Sequence, residues 1–402
     1  MNHLGEHVRY GWHYDASCRS SIRGSLRHRH RMNRFAVALA LGVVGAVGAG
    51  LVVTNWVQSH HGDRIGAILP LTGDLAKFGE SFRRGMTLAV DDSKTKISVI
   101  YDDDAGDAGR GATAFVRLVD AENVPAVVGA ATSPVAMAVS PIADRRQVVV
   151  VSPAATAPAL SRYHYFFRVM PSDSYEGTVM ARFVSQSLHH PTVAIVYVNN
   201  DWGDGLRNVF ADAYRKSGGT IVGEYAFERQ QTDFRALISL LKGTNTQYIY
   251  LLGYLKELVA FQTEATELAL GRKYLGAFSM DDPDLIARVP AASLRGSFVT
   301  VPAYDPNNPR SAVTRDFIQR YLQRYGTKPD QFAAHGYDSA MVVAAAIRSG
   351  ARTGPAIRAF LDGRSFDGVT GPFTFKGGDV KKAYRIMEFA NDSFVERGYV
   401  TE

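Results

Sequence analysis

A single cysteine, Cys18, excludes an intramolecular disulfide and any cysteine-built metal site. It follows no apolar run, so the lipoprotein pattern is missing too. Catalytic signatures are equally scarce: there is no nucleophile elbow, no Walker loop, no His-Glu-x-x-His and no dinucleotide fingerprint after a strand. The formal net charge of +6 suggests nucleic acid at first sight. Residues 1–34, however, hold seven arginines against Glu6 and Asp15, a net +5, which leaves +1 for the remaining chain. No basic face is left for a nucleic-acid partner.

The arginines of that segment precede Phe35 to Val53, a run without a charge, with Trp56 at its far edge. Its length suits a bilayer, which takes ~20 apolar residues. Residues 1–34 thus read as a basic, disordered cytoplasmic segment, and 35–57 as a transmembrane anchor with the globular part outside. A cleaved signal peptide starting at Met32, with Val47-Gly48-Ala49 as its cleavage site, is the rival reading. It would make the protein periplasmic or secreted.

From Arg64 onward short β-branched runs alternate with helical periods of ten or more residues. That rhythm predicts an α/β fold with parallel sheets covered by helices on both faces. Two such sets in succession, with no low-complexity linker, predict two doubly wound parallel-sheet lobes joined by a three-crossing hinge. The expected lobes are 64–174 with 302–370, and 175–301 with 371–402. The expected crossings lie around Pro171–Tyr175, Val301–Tyr304 and Thr370-Gly371-Pro372.

The stretch Gly129 to Leu160, GAATSPVAMAVSPIADRRQVVVVSPAATAPAL, organises the first lobe. Ser133 opens a helix, with Pro134 in the first helical position, where its missing N–H costs nothing. The free N–H groups of that turn and the Ser133 hydroxyl suit an anion. Val148–Val151 reads as a strand buried on both faces. It ends in Ser152-Pro153-Ala154-Ala155-Thr156, a small-residue turn with accessible backbone. Both turns fall at the carboxyl ends of neighbouring strands, where open α/β sheets bind ligands. The residues suit a pocket for a small carboxylate, although the local sequence by itself favours plain helix capping by Ser133 and Thr156.

Several further stretches occur in a telling order: ILPLTGDLAKFGESFRRGMTLAVDD, YDDDAGDAGRGA, GAATSPVAMAVSPIA, VVSPAATAPAL, FRVMPSDSYEG, VYVNNDWGDG, GYLKE and AHGYDS. From about Arg64 to Gly398 the chain resembles the type I periplasmic solute-binding proteins, in particular the branched-chain amino acid (Leu/Ile/Val) receptors of ABC importers. The resemblance implies that a ligand carboxylate is held by Ser133 and by the turn after the fourth strand, through the Ala154 backbone and Thr156, with Ala155 between them. It implies an aromatic second wall from Tyr254 and Trp202, with Phe78 at the cleft mouth. Flat rings over a cation are favourable. The family's acid falls within GAFSMDD, where strict spacing gives Phe278 or Ser279, so Asp281 or Asp282 has to supply the charge from one turn further on. If neither reaches the cleft, the ligand lacks an α-ammonium group. The implied partners are a small carboxylate and an ABC permease or an envelope signalling partner, with no cofactor and no catalysis.

Other features have two readings. Asp102, Asp103, Asp104 and Asp107 look like a calcium loop but lack its closing glutamate, so they read as helix caps. His60-His61 reads as linker. Tyr175 sits at the first crossing, either lining the cleft or packing structurally. Asp281 and Asp282 with Pro283 also make an ordinary helix start. A membrane-anchored sensor or scaffold using the same fold is the alternative function.

Overall fold

Strand and helix periods assemble here into two sheets. The computed structural model describes residues 63–401. The expected anchor or signal segment and His60-His61 lie outside the described residues, among which no helix is long and apolar enough to cross a membrane.

The first sheet contains β1 (Asp63–Leu69), β2 (Ile97–Asp103), β3 (Ala126–Gly129), β4 (Val149–Ser152) and β5 (Phe166–Arg168), all parallel, in the order 2-1-3-4-5. Alternation puts successive side chains on opposite faces. Ile65, Ala67, Leu69, Val149 and Val151 enter one apolar core, while Ile68, Val127 and Val150 enter the other. Continuous β-branched runs such as Val148–Val151 are thereby buried on both sides.

The second sheet begins with β6 (Val193–Val198), β7 (Ile221–Phe227), β8 (Tyr248–Leu252), β9 (Lys273–Gly276) and β10 (Phe298–Pro302). These five are parallel in the order 7-6-8-9-10, which repeats the pattern of the first sheet. After a hairpin of β11 (Ser365–Gly368) and β12 (Gly371–Thr374), the chain adds β13 (Tyr384–Ala390) and β14 (Ser393–Val400) antiparallel at the β10 edge. The second sheet is therefore mixed, against the expectation of purely parallel lobes.

The chain passes between the sheets after β5, after β10 and before β13. The third passage corrects the expected boundary at Thr370-Gly371-Pro372. Those residues belong to the β11–β12 hairpin, in which Gly368 pairs with Gly371 across a two-residue loop. Phe373, Phe375 and Val380 then pack into the first-lobe core, so the crossing falls at 381–383. Buried Asp338 accepts from the Val369 N–H at 2.7 Å and from the Thr370 N–H at 3.1 Å, and fixes the hairpin loop.

Helices Ala76–Asp92 and Gln331–Arg348 lie against each other over the first sheet. Glycine makes the approach possible. A Cβ on Gly85 would sit 1.9 Å from the Ala333 carbonyl oxygen, and one on Gly336 would sit 2.5 Å from that of Phe82. This close pairing carries Phe78, Phe82 and Phe332 to one place, with the Phe78 and Phe332 ring centroids 4.7 Å apart.

The first crossing buries two carboxyl groups, Asp173 and Glu176. Thr300 Oγ1 donates to Glu176 at 2.8 Å. Burial raises the pKa of Glu176 and the adjacent Asp173 raises it further; burial raises Asp173 too, against the pull of the Thr156 hydroxyl and the Arg168 charge. A carboxyl that holds its proton more tightly folded than unfolded favours the native state at low pH, and that advantage is lost as pH rises toward its folded pKa. Glu176→Gln is accordingly expected to raise Tm relative to the parent chain at about pH 8 but not at about pH 5. A Tm difference that does not depend on pH would contradict this account of the crossing. A second expectation concerns the helix pair: Gly85→Ala should destabilise by about 3 kcal/mol or more, because the obstacle is helix backbone. Thermal unfolding measures it.

Candidate functional site

Both sheets reverse their strand order once, between β1 and β3 in the first and between β6 and β8 in the second. A crevice opens at such a reversal, outside the carboxyl ends of the strands. Here the two crevices face one cavity of about 70 Å³. It suits a small ligand. Pro70, Leu75, Ala131, Thr132, Ser133 and Ala154 come from the loops after β1, β3 and β4. Trp202, Tyr254, Leu255, Phe278, Ser279, Asp281 and Asp282 come from the loops and helix starts after β6, β8 and β9. Phe78, Phe82 and Phe332 complete the first wall. The Phe278 and Phe332 rings meet across the lobes at 6.3 Å.

The first wall is shaped by a strained turn. Gly129 has φ 135° and the next residue, Ala130, φ 51°. A Cβ on Gly129 would lie 2.1 Å from the Ile68 carbonyl oxygen, so only glycine fits. The turn is held by Ala130 N–H on the Ile68 carbonyl at 3.1 Å and by Ser152 Oγ donating to the Ala130 carbonyl at 2.7 Å. Helix Ser133–Arg146 follows, with Thr132 in the capping position and its hydroxyl making no capping bond. The helix thus starts one residue earlier than the expected Ser133 cap.

Ser133 Oγ accepts from the Thr156 N–H at 3.2 Å and from the Ala157 N–H at 3.1 Å. A hydroxyl has two acceptor sites and one proton to give. With both acceptor sites occupied by the second loop, the proton is left for a further acceptor, and the residue lines the cavity. Ala154 lines it as well, and its N–H lies 3.4 Å from Ser152 Oγ, a weak hold that leaves it available.

Two other members of that turn are placed elsewhere. Ala155 is fully buried, its N–H given to Ser152 Oγ at 2.9 Å. Thr156 serves Ser133 through its N–H, while its hydroxyl faces Asp173 and not the cavity. Tyr175 also lies away from the cavity, packed edge-on against Tyr384 at 5.6 Å. These three are corrections to the expected lining. Each is drawn inward by a strand end or a hinge partner.

Across the cavity the Trp202 ring centroid is 5.1 Å from Tyr254 and 6.0 Å from Phe278. The Arg229 guanidinium covers the other side of Tyr254 at 4.4 Å. Asp281 and Asp282 both line the second wall. Asp282 is occupied as a helix cap, accepting from the Asp284 N–H at 2.7 Å. Burial pushes the Asp281 carboxyl up to about 6, with the Arg385 charge opposing. No lysine or arginine is among the lining residues. Of the acidic cluster, Asp107 caps the following helix through the Arg110 N–H, while Asp103 and Asp104 accept the loop N–H groups of Leu71 and Gly106.

Ion pairs made by Lys77 and Arg229 bridge the two walls. Lys77 reaches Asp284 at 2.6 Å and Asp282 at 3.7 Å, and Arg229 reaches Asp74 at 2.7 Å while also pairing with Glu257. Asp74 and Lys77 follow β1, whereas their partners follow β7 and β9, so both pairs span the cleft. Sequence reading missed Phe82 and Phe332 as lining residues, and also these pairs; the position it gave to Phe278 or Ser279 does line the cavity. Only the helix pairing brings Phe332 there, from more than two hundred residues beyond Phe82.

A sequence profile described as periplasmic binding protein matches residues 64–393. The Leu/Ile/Val-binding protein homolog 3 of Brucella melitensis is 27% identical over 323 residues, covering 77% of this chain and 86% of that protein. A leucine-binding protein of Thermotoga maritima superposes with a TM-score of 0.79 at 27% identity, covering 84% of this chain and 99% of that one. The branched-chain amino acid transporter substrate-binding protein of Streptococcus pneumoniae, solved with isoleucine, gives a TM-score of 0.75 at 26% identity and covers 84% of this chain and 100% of that one.

Exposed ion pairs contribute little each, about 0–1 kcal/mol, and are weakened by salt. Replacing Asp74 and Lys77 together by alanine is expected to raise the radius of gyration of the ligand-free chain, and high salt should do the same to the unaltered protein. Small-angle scattering reads both. Unchanged scattering in both cases would mean that these pairs do not hold the cleft shut.

Proposed function

The chain belongs to the periplasmic binding protein family, and from that premise we propose that it captures a small carboxylate, an amino acid or a close analogue, between its two lobes and presents it to an ABC-type importer. The relatives named above support this choice of ligand and partner. The observation that carries it is the Ser133 hydroxyl, doubly engaged by the Thr156 and Ala157 N–H groups and left with its proton at the cavity.

A carboxylate at the start of helix Ser133–Arg146 receives the Ser133 and Thr132 hydroxyls and the Ala154 N–H. The helix N-terminus adds a favourable field. An α-ammonium group meets the rings of Trp202 and Tyr254 and the carboxylate of Asp281. Closure follows because the ligand touches both walls only when the lobes are together. The N-terminal segment keeps this domain outside the cytoplasm, either as an anchor or as a cleaved leader.

Titration calorimetry against amino acids and small organic acids tests the reading. Hydrogen bonds to a charged group contribute ~1.5–3 kcal/mol each. Ser133→Ala with Thr132→Val is therefore expected to weaken binding by about a hundredfold or more. Unchanged affinity would remove the anion site. For ligands with an ammonium group, affinity should fall as pH drops through about 6, where Asp281 takes up its proton. The Asp281→Asn variant should lose that dependence, and a profile that is flat in the parent chain would take Asp281 out of the site.

A further inference from the structure

Three polar side-chain atoms on residues that line the cavity are buried without a hydrogen-bond partner among the described residues. They are Thr132 Oγ1 on the first wall, and Trp202 Nε1 and Ser279 Oγ on the second. Thr132 falls to the carboxylate described above. The second pair has no such use. We propose that Trp202 and Ser279 read a hydrogen-bond acceptor on the part of the ligand remote from its carboxylate, so that the preferred solute carries a hydroxyl or carbonyl oxygen on an apolar body.

This rests on the solute-binding reading and deepens it. The indole N–H can only donate. Trp202 is 3% exposed, so water does not satisfy that group readily, and leaving it unpaired carries the full desolvation cost. A methyl group set against it leaves that cost in place, whereas an oxygen removes it. An ammonium group cannot do so, since it has no lone pair to offer. Ser279 follows Phe278, whose ring centroid lies 6.0 Å from that of the indole, and Trp202 and Ser279 both line the second wall. A hydroxyl donates and accepts. A ligand hydroxyl or carbonyl oxygen at that wall can therefore accept a hydrogen bond from the indole N–H or from the Ser279 hydroxyl.

The surroundings define the rest of the ligand. Phe78, Phe82, Phe278, Phe332 and Tyr254 surround the cavity with rings, which fits an apolar body. Asp282 is already occupied by the Asp284 N–H and Lys77, leaving Asp281 as the acid for any ammonium group. Sites built to hydrogen-bond a substrate oxygen reject the methyl isostere far better than an apolar pocket rejects one extra hydroxyl.

Matched pairs test it on the full chain by titration calorimetry: threonine against valine, asparagine against leucine, and 4-hydroxybenzoate against 4-methylbenzoate. In each pair that binds, the oxygen-bearing member should bind about tenfold or more tightly. Trp202→Phe and Ser279→Ala should each lower that ratio, and the double variant should bring it near one. The serine change is a small one, so it keeps the test informative if the indole is needed for folding. Methyl-bearing members that bind equally well, or a ratio that survives both substitutions, would overturn the proposal while leaving the solute-binding reading standing. Absence of binding by every member would overturn that reading, and this one with it.

Discussion

One serine hydroxyl ties the two loops of the first lobe to each other. Ser133 Oγ receives the Thr156 and Ala157 N–H groups, so the loops after β3 and β4 are held at a fixed separation. The same bonds orient the remaining proton, because both acceptor sites of the oxygen are in use. A donor pre-aimed in this way has little freedom left to lose on meeting an acceptor. The strain upstream fits the same picture. Gly129 and Ala130 adopt positive φ to swing the chain out of β3, and Ser152 Oγ pins the result.

Both lobes solve the topological problem in one way. Each has five parallel strands, with the first of them along the chain in second place, so each has one reversal and one crevice. The first crevice supplies hydroxyls and a helix N-terminus. The second supplies rings and acids. A ligand with a negative end and an apolar or cationic remainder matches both only when the lobes meet, which ties recognition to closure. The buried Asp173–Glu176 pair places proton-sensitive groups at the first of the three crossings.

Much of this was legible in the sequence because parallel strands announce themselves by continuous β-branched runs, and ligands gather where those runs end. Ser133, Ala154, Trp202 and Tyr254 all sit one turn past a strand, and Phe78 and Asp281 close by; all six line the cavity. Thr156 and Tyr175 sit at equally promising positions, but the direction of a side chain depends on its tertiary neighbours, here Asp173 and Tyr384. Phe332 was not legible for a related reason. Its place depends on a helix pairing that Gly85 and Gly336 permit from opposite sides, and no local pattern encodes that approach. The Thr-Gly-Pro signal was read as a crossing and proved to be a hairpin turn, since both uses favour the same residues.

The claim on which the account turns is that the ligand's negative end docks on the oriented Ser133 proton. A crystal structure with bound solute tests it directly. The account predicts a carboxylate oxygen about 2.7 Å from Ser133 Oγ, with the Thr156 and Ala157 N–H groups still on that serine. A carboxylate bound to the second wall, or a Ser133 hydroxyl turned away from the cavity, would contradict it.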